Sequence, residues 1–193
     1  GYAAALQSRD SGFGIRDSEK HRLVVTDSIF SMDGDVAPLT ELHQLCHRHD
    51  AVLMVDDAHG FCVVPYPGSR ISYPDIYVAT LGKALGCSGA FVAGSENLIE
   101  YLVQRARSWV FSTAPPPALA AAARCALAIA RSAEGGQRRQ QLNQNIARFR
   151  AGCAQLGIPL APSQTAIQPL IVGDETRALA LSRHLFEQGL WVV

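Results

Sequence analysis

Four short apolar runs, three of them ending in polar residues, limit what this chain can fold into more than any other feature. They are RLVVTD around Leu23–Thr26, AVLMVDDAHG from Ala51, DIYVAT from Asp75 and GAFVAG from Gly89. Short, β-branched runs bounded by glycine and acids read as buried strands rather than helices. Between the first two lies PLTELHQLCHRHD, in which Leu39, Leu42, Leu45 and Cys46 recur at helical spacing and Pro38 suits the first turn. Strands that alternate with such crossovers build an α/β fold, a mostly parallel sheet with helices on both faces. Ligands of these sheets gather beyond the carboxyl ends of the strands. Polar residues stand at three successive ends: Asp27 and Ser31, Asp56 and His59, Thr80 and Lys83.

The second half has a different texture. ENLIEYLVQRARSWVF reads as a helix, STAPPPA as a break, and ALAAAARCALAIARSA as an Ala-rich helix opened by prolines. Gly135–Gly136 reads as a further break. After it, Leu142, Ile146, Phe149 and Cys153 share one face of an amphipathic helix. AIQPLIVG then reads as a strand, ETRALALSRHLFEQG as a helix and LWVV as a strand. The expected division is a large domain over 1–157 and the start of a smaller α+β domain over 158–193. GYAAALQS looks like the inside of a helix, and the chain ends inside an expected strand, so a piece of a longer protein is expected.

Composition removes several function classes. Acids and bases balance at 17 each, with acids concentrated before residue 100 and dispersed arginines after it. No aromatics interleave with those arginines, so a nucleic-acid surface is not expected. No apolar run is long enough to span a membrane. The five cysteines (Cys46, Cys62, Cys87, Cys125 and Cys153) lack CxxC spacing, which argues against disulfides or a zinc ribbon and suits a reducing cytoplasm. All but Cys87, beside the Lys83 loop, read as small core residues. His43 and His47 share a helical face, but no further ligand pair accompanies them, so they read as a polar stripe rather than a metal site. Trp109 and Phe111 read as core or interface anchors, and Tyr66 and Tyr73 as surface packing.

One of only two lysines, Lys83, lies in TLGKALG among glycines and small apolar residues. A lysine in a crowded, less polar site loses its proton more readily and becomes nucleophilic, as a Schiff-base lysine requires. Asp56 or Asp57, emerging from a strand, can hold a cationic ring nitrogen such as that of pyridoxal phosphate. His59 is placed to hydrogen-bond a phenolic oxygen, and Thr80 to bind phosphate. The set is far more specific than any member.

DSIFSMDGDVAPLTEL, VDDAHG, TLGKALGCSGAFVAG, FSTAPPPA and AIQPLIVGD, in this order, resemble the α-oxoamine synthases, which are fold-type I pyridoxal-phosphate enzymes. The resemblance runs from about Leu23 to Val193. It implies that Lys83 carries the cofactor and moves protons at the substrate Cα. It further implies that Asp56 pairs with the pyridine nitrogen, that His59 and Ser31 contact the phenolic oxygen, and that Thr80 binds the phosphate. Ser112 and Thr113 would reach the cofactor phosphate of the other protomer, so a homodimer is implied. DDAHG and GKALGCSGA favour the branch that condenses L-alanine with a pimeloyl thioester, with loss of CO2, in biotin biosynthesis. The alternatives are a glycine C-acetyltransferase type and a non-catalytic fragment of this fold. Asp27 stands where the family more often has Glu, and HGFCVVPYPGSR is less glycine-rich than the usual loop. The resemblance places the family's glycine-rich phosphate loop and ring-stacking histidine before Gly1, and its carboxylate-gripping arginine after Val193.

Overall fold

The apolar runs form one four-stranded sheet ordered β1-β2-β3-β4, with β1 at Arg22–Asp27, β2 at Ala51–Asp56, β3 at Ile76–Thr80 and β4 at Ala90–Gly94. The computed structural model describes residues 21–64 and 74–192. The helix read at GYAAALQS, Lys20, Tyr66, Tyr73 and Val193 lie outside the described residues. β1 and β2 pair in parallel over six positions, from Arg22↔Ala51 to Asp27↔Asp56. β2 and β3 pair in parallel over Met54↔Ile76 to Asp56↔Val78. β4 returns antiparallel to β3, from Thr80↔Ala90 to Ile76↔Gly94. The loop between them is too short for the crossover a parallel neighbour needs, so it closes a hairpin. The sheet is mostly parallel, as expected.

Alternation along the strands gives the sheet two different faces. On one, Leu53 and Val55 pack under helix α1 (Leu39–Arg48) against Leu42, Cys46 and Ala37, all buried. The apolar stripe of α1 is the one the sequence marks, with Pro38 at the N-cap position rather than inside the first turn. Phe61, Tyr77 and Phe91 extend this face with edge-on and tilted ring contacts, their centroids 5.2–6.4 Å apart. The opposite face carries Leu23, Val25, Val52 and Val92, which are 57%, 59%, 40% and 40% exposed.

The expected helix over ENLIEYLVQRARSWVF is two: α2 (Glu96–Arg105), capped by Ser95, and α3 (Arg107–Val110). Ala106 between them takes an extended ψ of 109°, which interrupts the helical path. α4 (Pro117–Arg131) starts with proline at its first turn. Gly135–Gly136 does not break the next helix. Ser132 caps α5 (Ala133–Gln155), so both glycines sit in its first turns. Gly135 is needed for close approach: a Cβ there would lie 2.3 Å from the Ala130 carbonyl oxygen at the end of α4. α4 and α5 pack against each other. Within α5, Leu142, Ile146 and Cys153 are half-buried and Phe149 is exposed.

α5 ends at Gln155 with Leu156 as its C-cap, and Gly157 follows with a φ of +67° that suits glycine. AIQPLIVG forms no strand, and neither do residues 190–192. A strand exists only with a neighbour to take its backbone bonds, and neither segment forms a ladder with another among the described residues. The helix between them, α6 (Glu175–Glu187), forms as read, with Asp174 accepting from the Arg177 amide at 2.8 Å. Cys46 is buried, but Cys125 is exposed rather than in the core, and all five thiols are free. Trp109 and Phe111 are also exposed, at 63% and 75%, and Arg107 stacks over the Phe111 ring at 5.4 Å. Among the described residues no helix is long and apolar enough to cross a membrane, and no group of His, Cys, Asp or Glu is placed to hold a metal ion.

Candidate active site

The two acids after β2 part company because neighbouring side chains point to opposite faces. Asp57 continues the inward set of Leu53 and Val55 and is 5% exposed. It accepts hydrogen bonds from the hydroxyls of Ser28 and Tyr77, and its amide donates to the Val78 carbonyl at 2.7 Å. Gly60 follows closely enough that a Cβ would fall 2.2 Å from Asp57 Oδ1. Asp57 is therefore a structural anchor for the turn that carries His59. Asp56 lies on the opposite face and is half-buried; its Oδ1 accepts from the Ala58 amide at 2.9 Å. In the parallel register it stands beside Asp27, so two carboxylates meet on this face at adjacent strand ends. Such a pair favours a cationic ligand group.

Thr80 ends β3 on the same face as Asp56, since Asp56 pairs with Val78. Its hydroxyl donates to the Gly89 carbonyl and accepts from the Gly82 amide, each at 3.2 Å, and so opens the loop that carries Lys83. That loop is closed by Leu81 N–H to Gly89 O at 2.9 Å and Cys87 N–H to Leu81 O at 2.8 Å. Gly86 and Gly89 supply its positive φ values of 60° and 105°. Leu85 is the loop's buried side chain. Lys83 is exposed, not enclosed as the sequence suggested. Its Nζ lies 2.7 Å from His59 Nε2. This is a hydrogen bond in which one nitrogen donates and the other accepts, the roles set by the His59 tautomer.

The structure thus brings Lys83, His59, Asp56 and Thr80 to one end of the sheet from two strand ends and two loops. Ser31 is exposed at the tip of the loop after β1 and touches none of the four in the contacts described. Ser112 and Thr113 follow α3 and are both exposed; the Ser112 hydroxyl donates to the Ser108 carbonyl. No described hydrogen bond joins either to Lys83, His59, Asp56 or Thr80. The sequence reading left Asp56 and Asp57 as alternatives and missed Ser28 and Tyr77; strand alternation from Leu53 and Val55 was the signal that separates them. Cys62, with φ of +65°, stands just past the His59 turn. Burial pushes its thiol up, and the Arg139 guanidinium partly offsets this.

This geometry has many counterparts. The sequence over 4–193 matches the family described as aminotransferase class I and II. An 8-amino-7-oxononanoate synthase of Marinobacter nauticus is 49% identical over 200 residues, covering 100% of this chain and 49% of that protein. One from Cupriavidus pinatubonensis is 53% identical over 182 residues, covering 89% and 45%. Among solved structures, a serine palmitoyltransferase from S. paucimobilis with a bound PLP–myriocin aldimine superposes with a TM-score of 0.84 at 26% identity, over 99% of this chain and 50% of that one. The 8-amino-7-oxononanoate synthase of Francisella tularensis gives 0.76 at 30% identity, over 92% and 54%. The chain belongs to the aminotransferase class I and II family, and its fold is that of the fold-type I transferases. It spans about half the length of the curated relatives it matches.

Proposed function

We propose that this chain forms the pyridoxal-phosphate-binding part of an acyltransferase that joins L-alanine to a pimeloyl thioester, releasing the thiol carrier and CO2 and giving 8-amino-7-oxononanoate for biotin biosynthesis. The observation that carries the reading is the Lys83–His59 contact of 2.7 Å at the carboxyl end of the sheet. The names of the relatives at about half identity support the choice of substrates.

The donor set fits pyridoxal phosphate. An exposed amine faces solvent for its aldehyde, two strand-end carboxylates suit its protonated ring nitrogen, and the Thr80–Gly82 turn offers a hydroxyl for its phosphate. When bound, the cofactor would supply an electron sink for negative charge at the amino-acid Cα. Lys83 would hold it covalently and move the proton at that carbon. Asp56, with Asp27 beside it, would keep the ring nitrogen protonated. His59 would face the phenolic oxygen with Ser31, and its place against Lys83 Nζ lets it hold or take a proton there. Thr80 would hold the phosphate, and Ser112 and Thr113 would serve the phosphate of a partner protomer in a homodimer. Residues to 157 would belong to the large domain and those from 158 to the smaller one, in a cytoplasmic protein.

Borohydride reduction in the presence of pyridoxal phosphate, followed by peptide mass mapping, tests the reading. A pyridoxyl adduct on Lys83 is expected, and turnover of L-alanine with pimeloyl-CoA is the next assay. A full-length, folded sample with no adduct on Lys83 overturns the enzyme reading.

A further inference from the structure

The loop that carries Ser31 is held at two places. Its base is closed just beyond β1: Ile29 and Val36 form an isolated antiparallel bridge, and Ala37 N–H donates to Ser28 O at 3.0 Å. Phe30 N–H donates to Asp35 O at 3.0 Å and Gly34 N–H to Phe30 O at 2.9 Å, leaving Ser31, Met32 and Asp33 exposed at the tip. The second hold comes from about 130 residues away. The carbonyl of Gly34 accepts from Ser163 Oγ at 2.9 Å and from Thr165 Oγ1 at 3.1 Å. Ser163 and Thr165 are 2% and 8% exposed. Gly34 has a φ of +70°, and a Cβ on it would lie 2.4 Å from Ser163 Oγ and 2.5 Å from the Ile167 carbonyl oxygen. The two segments meet backbone against backbone.

The two hydroxyls are not equivalent. Ser163 has one proton and two carbonyls in reach, Gly34 O at 2.9 Å and Ile167 O at 2.7 Å. Among the described residues Thr165 Oγ1 has Gly34 O as its only carbonyl acceptor; it also lies 3.1 Å from Ser163 Oγ and receives the Ile167 amide at 3.2 Å. The turn behind them is braced in its own right. Gln168 Nε2 donates to Thr165 O at 2.7 Å and Ser163 O at 3.1 Å, and Arg150 of α5 donates to Gln168 Oε1 at 2.8 Å and Ala161 O at 2.9 Å. A satisfied, buried polar knot of this kind fixes one geometry, because each missing bond strands a buried polar group.

We propose that Ser163 and Thr165 are positioning residues for Ser31. By capturing the Gly34 carbonyl they fix the loop tip, and they tie the placement of the Ser31 hydroxyl to the segment that follows Gly157. This rests on the reading of Ser31 as a contact of the cofactor. The segment beyond the expected domain boundary thereby acts on the site without touching it, and any displacement of residues 161–168 frees the tip.

The test uses the full chain with Thr165→Val, which keeps the shape and removes the hydroxyl, and Thr165→Ser, which restores it. Hydrogen exchange at the Phe30 and Gly34 amides is expected to quicken about five- to tenfold in Thr165→Val, the effect of losing one hydrogen bond, with β2 unchanged. Retention of pyridoxal phosphate is expected to weaken by a similar factor, with a changed ratio of its visible absorption bands. Thr165→Ser restores both, and adding Ser31→Ala to Thr165→Val costs little more. Ser163→Ala, which leaves the Thr165–Gly34 bond, gives a smaller change in the same direction. Unaltered loop exchange overturns the lock. Faster exchange with unaltered cofactor spectrum and retention, or fully additive losses with Ser31→Ala, overturns the positioning role. Failure of the wild type to retain the cofactor is a separate result and overturns the functional reading itself.

Discussion

Replacing Asp57 and, separately, Asp56 by alanine produces opposite losses, although the two residues are neighbours. Asp57 is buried and accepts two hydroxyl bonds. Bonds to a charged group contribute roughly 1.5–3 kcal/mol each, and removing the acceptor leaves the Ser28 hydroxyl buried without it. Allowing for non-additivity, Asp57→Ala costs about 3–5 kcal/mol, a large part of the roughly 5–15 kcal/mol typical of a domain. Asp56→Ala loses one bond, to the Ala58 amide, from a half-buried position. Its cost is about 1 kcal/mol or less. Urea titration separates them: with a slope of about 2 kcal/mol per molar, Asp57→Ala moves the midpoint down by roughly 2 M and Asp56→Ala by half a molar or less. Retention of pyridoxal phosphate gives the converse order, with Asp56→Ala folded and unable to hold the cofactor. Equal destabilisation by the two, or an Asp57→Ala protein as stable as wild type, refutes the division of labour between the faces.

Gly60→Ala drives a methyl to 2.2 Å from Asp57 Oδ1 and 3.1 Å from Ser28 Oγ; a loss of roughly 1–3 kcal/mol is expected from thermal melts. Because His59 precedes Gly60, the same variant lowers adduct formation at Lys83. Burial pushes the thiols of Cys46 and Cys62 above their ordinary value, with Asp75 adding to it at Cys46. Their folded values lie above the unfolded one, so the stability they contribute is complete below about pH 8.5 and declines as pH rises through that value. Denaturant midpoints measured from pH 7 to 10 fall in the wild type, and a Cys46→Ala, Cys62→Ala variant, less stable throughout, shows a shallower decline.

The elements that the sequence reveals are those whose signal is local. Val24, Leu53 and Val78 lie in runs whose length and flanks mark strands, and the strand ends were readable as the place for Asp56, His59, Thr80 and Lys83. What escaped depended on partners distant in the chain. AIQPLIVG has the composition of a strand but forms no ladder with another segment among the described residues. Gly135 looked like a break because glycine is a poor helix former; it is instead the residue that lets α5 start against the last carbonyls of α4. The enclosure expected for Lys83 was inferred from small neighbours, yet those neighbours shape a hairpin loop that holds the lysine out toward His59. The Ser163–Thr165 knot had no local signature at all, since its acceptor is a backbone carbonyl about 130 residues earlier.

β2 and β3 are joined over only three residue pairs, half as many as β1 and β2. Asp27, Asp56 and His59 belong to one side of that seam; Thr80 and Lys83 belong to the β3–β4 hairpin on the other. Contacts within the hairpin are near in sequence and close quickly, whereas the seam joins residues farther apart in the chain. Opening at the seam would part His59 from Lys83 and release the Tyr77–Asp57 bond, the kind of partial unfolding that native proteins sample. A molecule touching both Asp56 and Lys83 acts as a rivet across it. Its occupancy raises the free energy of that opening by RT ln(1 + [L]/Kd), and exchange of the Asp57 amide, which donates to Val78 O across the seam at 2.7 Å, slows in step.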